Sequence, residues 1–208
     1  MHPYLTKLGV RPEVQDFFHP YFTSDAAGNL VFNYQDSIEH FGFAFHRVPV
    51  AEHFWIAGDT NFSMIRHVFI CASAMDGIAY LSLNFAAFNQ TDNLLFLATG
   101  VQPNNIQMRW INQYLDGKMV SLIFSRDILG KLCDLKTATG IRRIPVAVGI
   151  VNEQVTINFR NQQYIFSQEQ FSLNAFEKVS GYRFNTRTIK PKNFDSYLDQ
   201  LKKKTFNQ

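Results

Sequence analysis

Met119-Val120-Ser121-Leu122-Ile123-Phe124-Ser125-Arg126-Asp127-Ile128-Leu129-Gly130-Lys131 is the stretch that decides the fold. Residues 119–124 form a short, nearly continuous apolar run, the pattern of a strand buried on both faces. Ser125-Arg126-Asp127 interrupts it with polar residues suited to capping a helix. From Ile128 to Lys136 apolar residues recur at helical spacing. Strand, cap and helix in that order make half of a βαβ unit. The pattern repeats upstream: His67 to Cys71 and Asn93 to Ala98 read as strands, Met75 to Phe88 and Asn104 to Leu115 as helices. Downstream, Arg143 to Val148 reads as a fourth strand. Strands alternating with helices imply a parallel sheet covered on both faces.

The flanks differ in character. Residues 1–20 carry short helical pieces, with Pro12 suited to a first helical turn. Asn29 to Tyr34 and Phe41 to His46 read as paired strands of a small antiparallel β unit. Beyond residue 148, Val155 to Phe159 and Gln163 to Phe166 flank Arg160-Asn161-Gln162 as a hairpin. Gln168 to Lys178 and Lys192 to Lys204 read as helices. The expected fold is therefore α/β: a roughly four-stranded parallel core flanked by helices, an antiparallel β unit before it, and a hairpin and helices after it. The expected regions are 1–65, 66–150 and 151–208, joined as one compact unit.

The 208 residues are 46% apolar and 18% charged, an ordinary globular composition that excludes a disordered chain. No run of 18 apolar residues suggests a membrane span, and Met1-His2-Pro3-Tyr4 lacks the regions of a signal peptide. The expected location is cytoplasmic. Cys71 and Cys133 lie far apart in apolar surroundings and read as buried thiols. The net charge of +3 permits nucleic-acid binding without demanding it. Arg126, Lys131, Lys136, Arg142 and Arg143 gather around the third helix, and Lys202-Lys203-Lys204 suits a helix C-terminus.

Ligands of open parallel sheets bind outside the carboxyl ends of the strands. Here those ends carry Ala72, Ser73 and Asp76, then Thr99 and Gly100, then Ser125, Arg126, Asp127, Gly130 and Lys131. Asp127 and Asp76 suit helix caps, or a metal or phosphate site. Thr99-Gly100 before a helix suits a turn, or a phosphate on backbone N–H groups. The chain has no G-x-G-x-x-G, no P-loop, no H-E-x-x-H and no G-x-S-x-G.

At these strand ends the chain resembles the Toprim domain, shared by bacterial primases, topoisomerases and related proteins of mobile elements. His2 to Val10 is similar to the Y-L-x-x-R-G-I opening of primase-like proteins, with Leu8 where Arg is usual. Val68 to Ile78 resembles an apolar strand followed by E-G-x-x-D-A. Leu122 to Gly130 resembles D-x-D-x-x-G, and Pro191 to Leu198 faintly resembles K-D-W-N-x-x-L. In the family the Glu serves acid–base or metal chemistry; the matching position is Ala72. The first Asp of D-x-D is Ser125. Asp76 and Asp127 remain, and Arg126 between the motif positions favours an anion over a cation.

The resemblance thus implies a degenerate Toprim-like protein, non-catalytic, associated with DNA replication or mobilisation. It would hold nucleic acid or phosphate at the strand-end pocket or meet a replication protein, with no cofactor required. Two alternatives stand beside it. One is an active Mg²⁺-dependent primase- or nuclease-like enzyme using Asp76, Asp127 and Asp134. The other is a protein-interaction module built on the Phe-rich β unit.

Overall fold

A computed structural model describes residues 1–59, 61–88 and 90–206. Thr60, Asn89, Asn207 and Gln208, which fall within the three expected regions, lie outside the described residues, as does the side chain of Phe206. The chain opens with helices α1 (Pro3–Lys7) and α2 (Pro12–Phe18), each with proline in its first turn. Strands β1 (Thr23–Ser24), β2 (Leu30–Asn33), β3 (Ile38–Phe41) and β4 (His46–Arg47) form an antiparallel sheet in chain order. The expected strand Phe41–His46 is instead the end of β3, a turn over residues 42–45 and the start of β4. Gly42 N–H donates to the Phe45 carbonyl at 2.9 Å, which reverses the chain at once. Phe32 and Phe41 are buried, while Phe43 and Phe45 are exposed in that turn.

The central sheet follows: β5 (Val50–Gly58), β6 (His67–Cys71), α3 (Ala74–Asn84), β7 (Leu94–Gly100), α4 (Asn105–Tyr114), β8 (Met119–Leu122) and α5 (Ile128–Ile141). Then come β9 (Ala147–Val151), β10 (Gln154–Phe159), β11 (Gln162–Ser167), α6 (Leu173–Ser180), β12 (Arg187–Thr188) and α7 (Tyr197–Phe206). The five-stranded sheet has the order β12-β8-β6-β7-β5. Its first four strands are parallel; β5 pairs antiparallel with β7 at the other edge.

The fourth parallel strand is therefore β12, and not the expected Arg143–Val148. Pro145 has no N–H to give a sheet ladder, and Arg143 sits at φ +55°, off the extended conformation. The strand starts only at Ala147 and joins β10 and β11 in a separate antiparallel sheet. Two expected helices also start later. Ser172 caps α6 by accepting from Ala175 N–H at 3.1 Å, and Ser196 accepts from Asp199 N–H at 3.1 Å just before α7.

The period-two alternation of β6 and β7 divides their side chains between two cores. Phe69, Cys71, Leu94, Phe96 and Ala98 face one, under α2, α3 and α7; Val68, Ile70, Leu95 and Leu97 face the other, under α4. This explains why both strands read as unbroken apolar runs. A third core lies between the back of α5, the β9–β11 sheet and α6, around Phe159, Phe171, Phe176 and Phe184. Among the described residues no helix is long and apolar enough to cross a membrane.

This topology sets the site. The chain runs from β6 through α3 to β7 on one face, then returns past β6 through α4 to β8 on the other. The direction of winding reverses between β6 and β8. In open α/β sheets ligands bind outside the carboxyl ends of the strands at such a reversal.

Candidate functional site

Two loops stand at those strand ends: Ala72-Ser73 after β6, and Ile123 to Asp127 after β8. Ser73 caps α3. Its Oγ accepts from Asp76 N–H at 3.0 Å and donates to Asp76 Oδ2 at 2.8 Å, while Asp76 Oδ1 accepts from Leu198 N–H at 3.4 Å. Burial pushes the Asp76 carboxyl above its ordinary range, against the pull of the Ser73 hydroxyl and His46.

The end of α3 holds a residue that the sequence reading missed. Glu39, on β3, is fully buried. Its carboxylate accepts from Ala74 N–H at 2.9 Å and Met75 N–H at 3.4 Å, the first free amides of α3. It also accepts from the Tyr34 hydroxyl at 2.6 Å, and His46 Nε2 lies 2.8 Å away. A carboxylate at a helix N-terminus is favoured by the helix dipole and by the unsatisfied amides there. Burial first, then the Glu39 charge, holds the Tyr34 phenol well above its usual range. The signal was present in the phase of β3: Glu39 and Phe41 are both inward positions two residues apart.

On the β8 side, Asp127 caps α5. Its Oδ1 accepts from Gly130 N–H at 2.7 Å and from the Ser125 hydroxyl at 2.8 Å. Gly130 is required there, because a Cβ would lie 2.2 Å from the Ser125 carbonyl oxygen. Arg126 N–H donates to the Asp195 carbonyl at 2.7 Å, and its guanidinium reaches the carbonyls of Pro191 and Lys192. Lys131 Nζ donates to the carbonyls of Gln168 at 2.8 Å and Glu169 at 3.2 Å.

Thr99 and Gly100 lie apart from these groups. Gly100 (φ +79°) is paired against Val50 of β5, and a Cβ on it would sit 2.5 Å from the Pro49 carbonyl oxygen. The Thr99 hydroxyl is buried, donating to the Cys71 and Gly100 carbonyls. The turn that suited a phosphate is therefore covered by β5.

The return of the chain through β12 supplies a second missed residue, Lys190. Its ammonium donates to the Phe124 carbonyl at 3.0 Å and the Ser125 carbonyl at 2.9 Å. It pairs with buried Asp134 at 2.6 Å. Burial pushes Asp134 up to about 7 against the pull of Lys190, and burial pushes Lys190 down. Asp134 Oδ1 has no partner among the described residues. Arg126, Lys131, Lys190 and Lys192, with Asp134 and the start of α6 at Ser172-Leu173-Asn174, line a cavity of about 410 Å³.

The sequence-derived residues thus fall into three places. Ser73 and Asp76 join Glu39 at α3; Ser125, Arg126, Asp127, Gly130 and Lys131 gather at the start of α5; Thr99 and Gly100 are sealed under β5. Among the described residues no three His, Cys, Asp or Glu side chains converge to hold a metal ion. Cys71 and Cys133 are buried free thiols, and burial pushes Cys133 up to about 12.

No family model matches the chain. No curated protein matches it. Among solved structures, the primase fragment of the bacteriophage T7 primase-helicase protein is similar at a TM-score of 0.43 and 11% identity, over 67% of this chain and 60% of that one. A second similar chain comes from a structure of bacteriophage T7 lagging-strand DNA polymerase interacting with primase domains of two gp4 subunits bound to an RNA/DNA hybrid and dTTP. There the TM-score is 0.39 and the identity 12%, over 65% of this chain and 72% of that one. At these scores neither likeness defines the fold or the function of this chain.

Proposed function

We propose that this is a non-catalytic Toprim-like protein that holds nucleic-acid phosphates, those of DNA first, at the carboxyl end of β8. Its setting would be replication or mobilisation of a bacterial mobile element. One observation carries the reading: the strand-end cavity gathers four cations, Arg126, Lys131, Lys190 and Lys192, against the single carboxylate of Asp134. Arg126 and Lys131 are held by backbone carbonyls, which fixes them in place without neutralising their charge, while Lys190 is held by carbonyls and balanced by Asp134. A preorganised cationic pocket of this kind favours phosphate oxygens.

The absence of catalysis is supported by the donor set. Mg²⁺ takes carboxylates together with substrate phosphates. The resemblance places its acid–base Glu at Ala72 and its leading Asp at Ser125, neither of which can serve. Asp127 is engaged as a helix cap, and Asp76 is bonded to Ser73 and Leu198. These residues do not fit the metal site that the resemblance implies, and no step is derived through a metal.

Fluorescence anisotropy with labelled single-stranded and duplex DNA tests the reading. Binding should weaken with salt and weaken further in Lys192→Glu, an exposed position whose change spares the buried pair. No binding at low salt would refute it. Mg²⁺-dependent strand cleavage or nucleotide transfer that is lost in Asp127→Asn would refute the non-catalytic part.

A further inference from the structure

A second basic groove lies on the other side of α5. Two adjoining cavities, of about 1030 Å³ and about 800 Å³, share Asn105, Met108, Gly140, Ile144 and Pro145. Together they run between α4, the C-terminal half of α5, the loop after it and the β10–β11 turn. Lys136 and Arg160 line the first cavity; Arg109 and Arg143 line the second. Among the described residues no Asp or Glu lines either one. All four cations are exposed, and among the described residues none of them makes an ion pair. The groove therefore carries four uncompensated positive charges, two to each chamber.

Two of the four cations sit on unusual backbone. Arg143 has φ +55° and Arg160 has φ +50°. A left-handed conformation costs a residue with a Cβ about 1–2 kcal/mol, and a two-residue hairpin turn such as Arg160-Asn161 ordinarily prefers Asn and Gly. Two of the groove's four cations thus stand at positions where the backbone would favour another residue. Arg160 is also held in place: its guanidinium lies 4.6 Å from the Tyr182 ring centre and 5.2 Å from that of Phe159. Stacking fixes the cation and leaves its charge available.

We propose that this groove binds the phosphate backbone of a single strand of nucleic acid. The groove lies along the seam where α4 packs on α5. A single strand leaves its base edges free for side chains to meet, whereas a duplex pairs them with each other. Asn105, Asn112 and Asn161 stand among the cations. Their amides both donate and accept, which suits base edges. None of these residues lines the cavity at the end of β8, so the groove can bind whether or not that cavity does.

Anisotropy of a fluorescein-labelled dT20 strand, measured with the full chain across a salt series, tests the groove. Single-strand binding loses a log–log salt slope of about 0.7 for each neutralised phosphate. Arg109→Gln/Arg143→Gln should therefore lower the slope by roughly 1.4 and weaken binding at low salt at least tenfold. Lys136→Gln/Arg160→Gln should do the same. Thermal melting and circular dichroism confirm that the variants remain folded. Unchanged slope and affinity in both double variants would overturn the proposal. So would loss confined to Lys192→Glu, which would place the strand wholly at the β8 end. Equal or tighter binding of the matching duplex, or displacement of dT20 by polyglutamate as effectively as by unlabelled dT20, would also overturn it. Loss in the groove variants with Lys192→Glu unaffected supports the groove and tells against the β8 cavity.

Discussion

Lys190→Met should destabilise the protein in a manner set by pH. The ammonium satisfies the carbonyls of Phe124 and Ser125 and pairs with Asp134, which is 2% exposed. Removing it leaves two carbonyl acceptors unsatisfied, at about 1–2 kcal/mol each. It also leaves a buried carboxyl alone. Burial already raises Asp134 from 3.8 to about 7, so the folded state holds this proton more tightly than the unfolded chain. Stability from this group therefore falls as pH rises between those values. Without Lys190 the carboxyl rises further, and each pH unit above 7 should add about 1.4 kcal/mol to the deficit until the new value is reached. The deficit should be about 2–4 kcal/mol at pH 6 and about 1 kcal/mol larger at pH 8. At roughly 2–4 °C per kcal/mol for a chain of this size, the pH 8 loss is on the order of 10 °C in Tm. Urea unfolding at both pH values measures it. Asp134→Leu/Lys190→Met should recover the pH-dependent part and keep only the cost of the unsatisfied carbonyls. Equal deficits at pH 6 and pH 8, or a double variant no more stable than Lys190→Met at pH 8, would refute the reasoning.

Two further outcomes are expected. Glu39→Ala should cost about 3–5 kcal/mol, because the Tyr34 hydroxyl and two amides of α3 lose a buried acceptor together, whereas Glu39→Gln should cost about 1–2 kcal/mol; equal losses in urea melts would show that the charge at α3 is irrelevant. Gly130→Ala should cost at least about 2 kcal/mol, since its Cβ would meet the Ser125 carbonyl at 2.2 Å and the backbone there must move; a Tm within a degree of the parent would count against the tight turn at Asp127.

The strands that were legible were those buried on both faces. β6, β7 and β8 carry apolar residues at both phases, and their helices follow with clear caps at Ser73, Asn104 and Asp127. The edges were not legible. β12 is two residues long and is placed by pairing with β8, a contact made across more than sixty positions of chain, which no local pattern encodes. Arg143–Val148 had the composition of a strand, and the missing proline N–H overruled it. At the site, the α5 cap and its cations were readable because they adjoin one another in sequence. Glu39 and Lys190 were not, because each reaches the strand ends from a distant segment. The setting of Thr99 and Gly100 was not legible for the converse reason: the strand that covers them comes from residues 50–58.

The packing of α7 has a kinetic consequence. The Thr205 hydroxyl donates to the Leu8 carbonyl across 197 positions, and Tyr197, Leu198 and Leu201 complete the core that Leu5 and Leu8 begin. During synthesis at about 5–20 residues per second, that core stays open for roughly ten seconds or longer after its first residues emerge. Such late, non-local closure slows folding and leaves apolar surface exposed meanwhile. The core around Leu5 and Leu8 stays incomplete until α7 arrives.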